Sequence, residues 1–137
     1  MNVLSDCLFC KIINGEIPCF KIYEDENFLA ILDRFPAAMG TVLILTKNHA
    51  PSIFDLSEKE AAALMPLAKK IAEKIQSALN PDGINILQNN GAPAGQEIFH
   101  YHMHIIPRHK NDSIKLIKPP TDPPLSELEE IGKKLLL

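Results

Sequence analysis

Three histidines alternate with apolar residues in one short run, as His100, His102 and His104. Residues two apart face the same side of a strand at a spacing of ~6.6 Å, whereas a helix would scatter them around its axis. Each imidazole also has two ring nitrogens that need partners, so packing alone is a weak explanation for the row. The pattern predicts a strand over residues 99–106, whose other face packs on the core through Phe99, Tyr101, Met103 and Ile105.

A row of imidazoles is suited to two kinds of chemistry. Neutral histidine is a common metal ligand, and it is also a nucleophile that forms covalent intermediates. The loop before the strand, residues 89–96, contains glycines and amides that can approach and hydrogen-bond an anion. The same loop could be an ordinary connection, and the residues alone leave both questions open.

The remaining pattern predicts an α+β fold, a five-stranded antiparallel meander with one long helix and short terminal helices. Ser57 and Glu60 form a capping box that opens the long helix, and apolar residues at helical spacing continue it to Leu79. Pro66 should bend this helix or split its start. The expected strands are 20–23, 28–32, 41–46, 83–88 and 99–106, and a short helix covers residues 7–14.

The chain changes character after Arg108. Residues 118–124 are rich in proline and predict a linker. Residues 126–136 predict an amphipathic helix, with Ser126 as its cap and Leu128, Ile131 and Leu135 on one face. We therefore divide the chain into a domain at 1–110 and an appended segment at 111–137, which is either a solvated tail or a contact with a partner subunit.

Composition excludes several classes of function. With 137 residues, 46% of them apolar, the chain suits one domain with a single core. A net charge of −3 without a basic tract argues against binding to polymeric nucleic acid. There is no apolar run of the ~20 residues that a membrane span needs, and no signal peptide is apparent. The three cysteines fit a reducing compartment, so a cytoplasmic location is expected.

Cys7 and Cys10 have the spacing of half a zinc site. No second such pair exists, so a zinc ion would take its other ligands from the histidines at 49, 100, 102, 104 and 109. A reduced dithiol in a hydrophobic turn is the alternative, because this short motif also occurs without metal.

The run from Gly95 to Arg108 resembles the signature of the histidine triad family, and the likeness extends back to Cys7. It includes the Cys7–Cys10 segment, Tyr23 to Asp25, the residues around Asp33, and Gly40 to His49. The Hint branch is the most similar. The resemblance implies a homodimeric enzyme that hydrolyses or transfers nucleotides at the α-phosphate through a nucleotidyl-histidine intermediate.

The resemblance also implies a role for each histidine. His102 would be the nucleophile, and His104 would flank the phosphate. His100 would bind a structural zinc ion together with Cys7, Cys10 and His49, while its backbone carbonyl orients the His102 ring. Four protein ligands leave no open position for substrate, so such a zinc ion would hold the N-terminus to the catalytic strand.

The implied substrate-binding residues come from four parts of the chain. Asn89, Gln96 and the backbone from Gly95 to Glu97 would contact the phosphate, and Asp33 would accept from the ribose hydroxyls. A turn residue at a strand end is the alternative for Asp33. The base pocket would be formed by Leu8, Phe9, Ile12 and Ile31, for which plain core packing is the stronger alternative.

Two positions depart from the family pattern. Thr41 stands where a fourth active-site histidine is frequent, and a hydroxyl there can hydrogen-bond but cannot titrate near neutral pH. Glu97 stands where the Hint branch often has a serine that assists the leaving group. Its negative charge would oppose an anionic substrate.

Three functions fit these observations. The first is an enzyme acting on purine nucleoside phosphoramidates or other 5′-substituted nucleotides, with dinucleoside polyphosphates as a further substrate class. The second is a metallohydrolase in which all three triad histidines bind an open metal. The third is a nucleotide-binding module with little turnover.

Overall fold

The computed structural model describes residues 4–116 and 118–137, and one antiparallel sheet organises it. The strands are β1 (Lys21–Glu24), β2 (Phe28–Leu32), β3 (Val42–Thr46), β4 (Gly83–Leu87) and β5 (His102–Arg108). The helices are α1 (Leu8–Ile13), α2 (Glu58–Leu79) and α3 (Leu125–Lys134), with two short 3₁₀ turns at Ile53–Asp55 and Ala92–Ala94. The predicted α+β class and the five strands are confirmed.

The strand order is β1-β2-β3-β5-β4, so the meander covers only the first three strands. After β3 the chain crosses through α2 to β4 at the edge, and β5 returns between them. This insertion matters for function because β5, which carries two of the triad histidines, pairs on both sides, with β3 and with β4. A strand held by two ladders is a rigid support for side chains that must be positioned accurately.

The long helix α2 begins as predicted. Ser57 and Glu60 form the reciprocal capping box, and the helix buries Leu64, Leu67, Ala68, Ile71 and Ile75. The helix is continuous through Pro66, so its start is not split. Pro66 has no N–H, so the carbonyl of Ala62 lacks its helical hydrogen bond. Both residues are exposed, and water can hydrogen-bond this carbonyl instead. Leu79, predicted to continue the buried stripe, is half exposed.

Two hydrophobic clusters cover the two faces of the sheet. On the face toward α2, which we call the upper face, Ala30, Ile44, Met103 and Ile105 pack against the helix. On the opposite or lower face, α1 packs on a smaller cluster formed by Phe9, Ile12, Leu29, Ile31, Leu43 and Leu45. The apolar residues of β5 thus belong to the upper face, which leaves its histidines on the lower face.

The histidine strand begins three residues later than the sequence predicts. β5 starts at His102, so Phe99, His100 and Tyr101 precede it. Tyr101 still packs on the upper cluster, but its N–H donates to the carbonyl of Ala50 rather than to a strand. Phe99 is 50% exposed and does not extend the buried stripe. His100 thus precedes the strand, but its ring still lies on the lower face, 5.8 Å from that of Phe9.

Beyond β5, Arg108 and Asp112 secure the chain. The guanidinium donates two 2.7 Å hydrogen bonds to the Asp112 carboxylate and one each to Asn85 and the carbonyl of Ile114.

The residues of α3 are all exposed. Its N-cap is Pro124 rather than the predicted Ser126, which lies inside the first turn. None of the helices in the described part of the chain is long and apolar enough to cross a membrane.

Candidate active site

His102 and His104 project from β5 onto the lower face, beside α1. They pair in register with Leu45 and Leu43 of β3, which belong to the lower cluster. Their rings lie 5.1 Å apart between centroids, in an edge-to-face arrangement. The ring of Phe9 packs edge-on against His102 at 4.9 Å. The predicted sharing of one face by these two residues is confirmed.

A hydrogen bond fixes the protonation of the His102 ring. Its Nδ1 lies 2.7 Å from the carbonyl oxygen of His100. A carbonyl oxygen can only accept, so Nδ1 carries the proton. In the neutral ring, Nε2 then keeps its lone pair. The hydrogen bond agrees with the expectation that the His100 carbonyl orients the His102 ring, and it leaves Nε2 as the ring's lone-pair atom.

His100 is fixed in the opposite tautomer. Its Nε2 lies 2.6 Å from the carbonyl oxygen of Thr46 and must donate to it. Nδ1 therefore presents a lone pair when the ring is neutral. Burial lowers the pKa of His100 to about 4, so the ring is neutral at physiological pH. The residue is fully buried, and its Nδ1 is directed at three other potential ligands.

Those ligands are Cys7, Cys10 and His49. The Nδ1 of His100 is 3.3 Å from the Sγ of Cys7, 3.5 Å from the Sγ of Cys10 and 3.2 Å from the Nδ1 of His49. The ligand atoms of all four residues lie within 4.8 Å of one another. α1 brings the two thiols together, because Cys7 is its N-cap and Cys10 lies one turn later. The four predicted residues thus form a cluster that could hold a metal ion.

The protonation of this cluster would change with metal. Burial raises the pKa of the Cys10 thiol, so the neutral thiol is favoured when no metal is bound. Cys10 is fully buried, and a metal ion would bind it as the thiolate and release its proton. Within residues 4–116 and 118–137, this is the one group of histidine, cysteine or acidic side chains close enough to share a metal, and it excludes His102 and His104.

Burial dominates the electrostatics of the two remaining triad histidines. It lowers the pKa of His102 and of His104, while the negative charge of Asp33 acts in the opposite direction on both. His102 further lowers the pKa of His104 by like-charge repulsion. Both rings are therefore biased toward the neutral form that a nucleophile and its neighbour require.

The loop before the triad does not present the donors that the sequence predicts. The N–H of Gly95 donates to the carbonyl of Ala92, and the N–H of Gln96 donates to that of Gly91. The side chain of Gln96 is 4% exposed and donates to the carbonyls of Pro51 and Ile98. In this conformation Gln96 holds the loop, and its predicted donation to a phosphate is not available.

The same holds for Asn89. With its amide nitrogen turned toward the loop, Asn89 donates to the carbonyls of Gln88 at 3.3 Å and Ala94 at 3.2 Å. Gly95 has a φ of +95°, and a Cβ there would lie 3.1 Å from the Asn89 amide. Glycine is therefore required at this position by both conformation and contact. Glu97 alone among the predicted phosphate contacts is exposed without a hydrogen bond to the described residues.

The predicted ribose and base residues lie near the histidines, with different degrees of access. One carboxylate oxygen of Asp33 accepts from the N–H of Phe35, which is the turn role left open by the sequence. Phe9, Ile12 and Ile31 are buried in the lower cluster, as core packing requires. Leu8 is 44% exposed and is the accessible member of the predicted base pocket.

Thr41 stands at the place of the family's additional histidine. It is buried, and its hydroxyl is used in a local hydrogen bond. Its Oγ1 donates a 2.7 Å hydrogen bond to the carbonyl of Ala38. Sequence reasoning missed the role of Thr46, whose carbonyl selects the His100 tautomer. No sequence signal could have revealed it, because every residue carries a backbone carbonyl.

The comparisons with known proteins now give the family. A profile of the HIT domain matches residues 14–111. The chain belongs to the HIT-domain family. It is 46% identical over 110 residues to the adenylylsulfatase HINT3 of Arabidopsis thaliana, covering 80% of this chain and 56% of that one. It is 43% identical over 102 residues to the adenosine 5′-monophosphoramidase of Schizosaccharomyces pombe, covering 74% of each. These relatives place it among the family's hydrolases.

Solved structures agree with this assignment. A protein from Streptococcus mutans superposes with a TM-score of 0.92 at 37% identity, covering 98% of this chain and 85% of that one. A zinc-bound histidine triad protein from Mycobacterium smegmatis superposes with a TM-score of 0.75 at 37% identity, covering 85% of this chain and 84% of that one. The fold of this HIT-family chain is thus the one predicted from the histidine run.

Proposed function

We propose that this HIT-family hydrolase cleaves purine nucleoside phosphoramidates, or related 5′-substituted nucleotides, at the α-phosphate through a nucleotidyl-His102 intermediate. The observation that carries the proposal is the 2.7 Å bond from His102 Nδ1 to the His100 carbonyl, which leaves Nε2 as the lone-pair atom. The relatives named as an adenosine monophosphoramidase and an adenylylsulfatase support an adenylyl substrate with a variable leaving group.

The reaction has two displacement steps at phosphorus. In the first, Nε2 of His102 forms a bond to the α-phosphorus as the bond to the leaving nitrogen breaks, and that nitrogen takes one proton from solvent to leave as an amine. In the second, water attacks the phosphorus and gives one proton to solvent as the phosphorus–Nε2 bond breaks, and a nucleoside monophosphate is released. As positive charge develops on the ring, the proton on Nδ1 stays bonded to the His100 carbonyl, which stabilises the imidazolium.

The proposed surroundings of the phosphate follow from the lower face. His104, with its ring centroid 5.1 Å from that of His102, would flank the phosphate as a neutral hydrogen-bonding partner. Asp33 would accept from the ribose through the carboxylate oxygen that does not bind Phe35. Leu8 and the edge of Phe9 would contact the base. Phosphate contacts from Asn89, Gly95 and Gln96 would require their loop to rearrange when substrate binds.

We further propose that Cys7, Cys10, His49 and His100 hold a structural zinc ion. Zinc bonds of 2.0–2.3 Å place tetrahedral ligands ~3.3–3.8 Å apart. Four of the six distances between these donor atoms are 3.2–3.5 Å, close to this range, and all six are within 4.8 Å. The ion would fix α1 and the His100 backbone, whose carbonyl in turn orients His102. It would supply no chemistry to the substrate.

Two other functions have less support. A metallohydrolase using all three triad histidines requires them to converge, but His100 faces the two thiols while His102 Nδ1 is occupied by a carbonyl. A nucleotide-binding module without turnover would not need the Nε2 lone pair of His102 to be kept accessible for attack. Dinucleoside polyphosphates are the alternative substrate class, because His102 does not define the leaving group.

We also propose that the chain is a cytoplasmic homodimer without nucleic-acid or membrane partners. β4 is an edge strand, and its Ile86 is 42% exposed. Unpaired strand edges favour association, and two-fold dimers are the most frequent soluble oligomers. α2 and β4 would contribute to the interface. A sedimentation mass near the 15.2 kDa of one chain at micromolar concentration would contradict the proposal.

The deciding experiment for catalysis is direct turnover combined with trapping. The protein should release nucleoside monophosphate from adenosine 5′-phosphoramidate and, measured in parallel, more slowly from diadenosine tetraphosphate. Rapid acid- or base-quench with labelled substrate should capture a nucleotide on His102. Turnover that persists without any captured intermediate, and with full activity in His102→Ala, would reject the mechanism.

A further inference from the structure

The C-terminal helix α3 presents an apolar stripe that no described residue of its own chain covers. Leu125, Leu128, Ile131 and Leu135 lie along one side of it and are 82%, 52%, 53% and 70% exposed. A helix of this length is marginal in water unless an amphipathic face is packed. The stripe therefore indicates that α3 acquires a partner surface.

The body of the same molecule has an uncovered apolar groove. A concavity of about 620 Å³ lies between the second half of α2 and the segment that connects β2 to β3. Contiguous exposed apolar surface of this kind marks an interaction site, and a groove beside a helix suits an amphipathic helix. The half-exposed or exposed apolar residues that line it are Ile22, Leu32, Met39 and Leu79.

Charges on the two surfaces are complementary. Lys74 lies on the lining of the groove, beside the apolar residues contributed by α2. On α3, Glu129 pairs with Lys133 at 3.3 Å, whereas Glu127 and Glu130 form no ion pair among the described residues. A helix docked in the groove can therefore bring a glutamate of α3 to Lys74.

The linker indicates which molecule supplies the groove. The clasp between Arg108 and Asp112 fixes the start of the segment to the body. The prolines at 119, 120, 123 and 124 then precede α3, and such a segment is a stiff spacer that projects a helix instead of folding it back. In keeping with this, no residue of α3 is buried against its own chain.

We propose that α3 of one protomer docks into the α2 groove of a second copy, and that the two copies exchange their helices reciprocally. Such an exchange is self-complementary, because each copy offers one helix and one groove under two-fold symmetry. The inference does not depend on the proposed catalysis. It adds a specific contact to the proposed homodimer and can hold whether or not β4 edges also pair.

Hydrogen exchange of the full chain, read by mass spectrometry on the α3 peptide, tests the contact. At tens of micromolar protein, α3 amides should exchange at least ~tenfold more slowly than after dilution below the dissociation constant. Ile131→Asp and Leu79→Asp should each abolish this protection, because they place a charge in the apolar stripe or in the groove. Met39→Asp, at an 86% exposed groove position, repeats the groove test with less risk to folding.

Mixing the two variants separates exchange between copies from docking within one copy. Ile131→Asp retains an intact groove, and Leu79→Asp retains an intact helix. In a mixed dimer, the helix of the Leu79→Asp chain should regain protection on the groove of its Ile131→Asp partner. The two α3 peptides differ in mass, so each can be followed separately. Docking within one chain cannot be restored in this way.

Matched controls guard against indirect effects. Phe54→Asp adds a charge at an 88% exposed position outside the groove, α2 and β4, and should leave α3 protected. Glu129→Gln alters the polar side of α3 and should have little effect. Protection that is independent of concentration and is not restored by mixing would overturn the proposal, as would an α3 that exchanges freely at all concentrations.

Discussion

The Nδ1–H of His102 donates a 2.7 Å hydrogen bond to the backbone carbonyl of His100. The same residue, His100, directs its own Nδ1 into the cysteine cluster, 3.3 Å from Cys7 Sγ. One residue thus connects the candidate metal site to the candidate nucleophile through only its own backbone and side chain. Disturbing either end should therefore be measurable at the other.

Replacement of His102 by alanine should abolish turnover while nucleotide binding largely survives. A nucleophile contributes mainly in the transition state, so its loss lowers kcat more than affinity. Turnover of adenosine 5′-phosphoramidate and calorimetric binding of the monophosphate should be measured together. His109→Ala, at the one histidine outside the triad and the metal cluster, is the control. Retention of more than about a tenth of kcat, a barrier change below ~1.4 kcal/mol, would remove His102 from this role.

Cys10→Ala should remove one zinc ion per chain and lower the melting temperature. The lost ion would release α1 from His100, and structural zinc contributes directly to folding free energy. Elemental analysis and calorimetry are the measurements, with Cys19→Ala as a matched control that should retain the metal. A shift of at least ~5 °C is expected for a loss of a few kcal/mol. Chelator-free wild-type protein with no zinc would contradict the site.

Gln96→Leu should destabilise the loop before the triad. The buried amide bridges Gly91, Pro51 and Ile98, and its removal leaves the N–H of Gly91 and two carbonyls without their partner. Unsatisfied buried groups cost ~1–3 kcal/mol each at most, so the free energy of unfolding measured in denaturant should fall by that order. Hydrogen exchange in residues 88–98 should accelerate. Gln76→Leu, which removes a single 3.5 Å bond elsewhere, should change little. Equal effects from both substitutions would argue against a loop-holding role.

Asp112 should make the stability of the C-terminal clasp depend on acid. Hydrogen bonds from Arg108 lower the pKa of the Asp112 carboxyl below its ordinary value. A lowered folded-state pKa gives stabilisation that is present above the unfolded pKa of ~3.9 and is lost as pH falls through the folded value. Asp112→Asn should therefore be less stable than wild type at pH 7, with the difference shrinking below about pH 4. Denaturant titrations at several pH values would show it. A difference independent of pH would refute the assignment.

Glu97→Ser should raise kcat/KM for phosphoramidates at pH 8 if the carboxylate lies beside the bound phosphate. The ionised side chain would repel an anionic substrate, and serine removes that charge. The gain in kcat/KM should shrink as ionic strength rises, because salt screens the repulsion. Glu97 is exposed in the structure, so equal kcat/KM values for the two proteins at low ionic strength would identify it as a bystander.

Local sequence patterns predicted most of the elements correctly. The capping box at Ser57 and Glu60, the turn between β1 and β2, and the alternation of His102 with His104 depend on neighbouring residues, whose geometry a helix or strand fixes by itself. The Cys7–Cys10 spacing and the family resemblance were sufficient to predict the four residues of the metal cluster.

Patterns failed where a distant partner decided the outcome. His100 was expected on the strand, but the strand begins only at His102, because the N–H of Tyr101 donates to the distant carbonyl of Ala50. Gln96 was expected to face a phosphate, but the carbonyl of Pro51, 45 residues away in sequence, occupies its amide. Ser126 is a separate, local failure: it was expected as the helix cap, but α3 begins one residue earlier, at Leu125, with Pro124 as its N-cap.

The sequence by itself determined the α+β class and the shared face of His102 and His104, because residue type and short spacing govern these properties. Spacing also paired Cys7 with Cys10, whereas His49 and His100 were added to the potential metal ligands by the family resemblance. Only the tertiary structure decided the tautomers of His100 and His102, the internal bonding of the 89–98 loop and the position of β5 between β3 and β4. The physical reason is that these features depend on backbone carbonyls and strand edges, which every residue carries and which only the packed chain brings into contact.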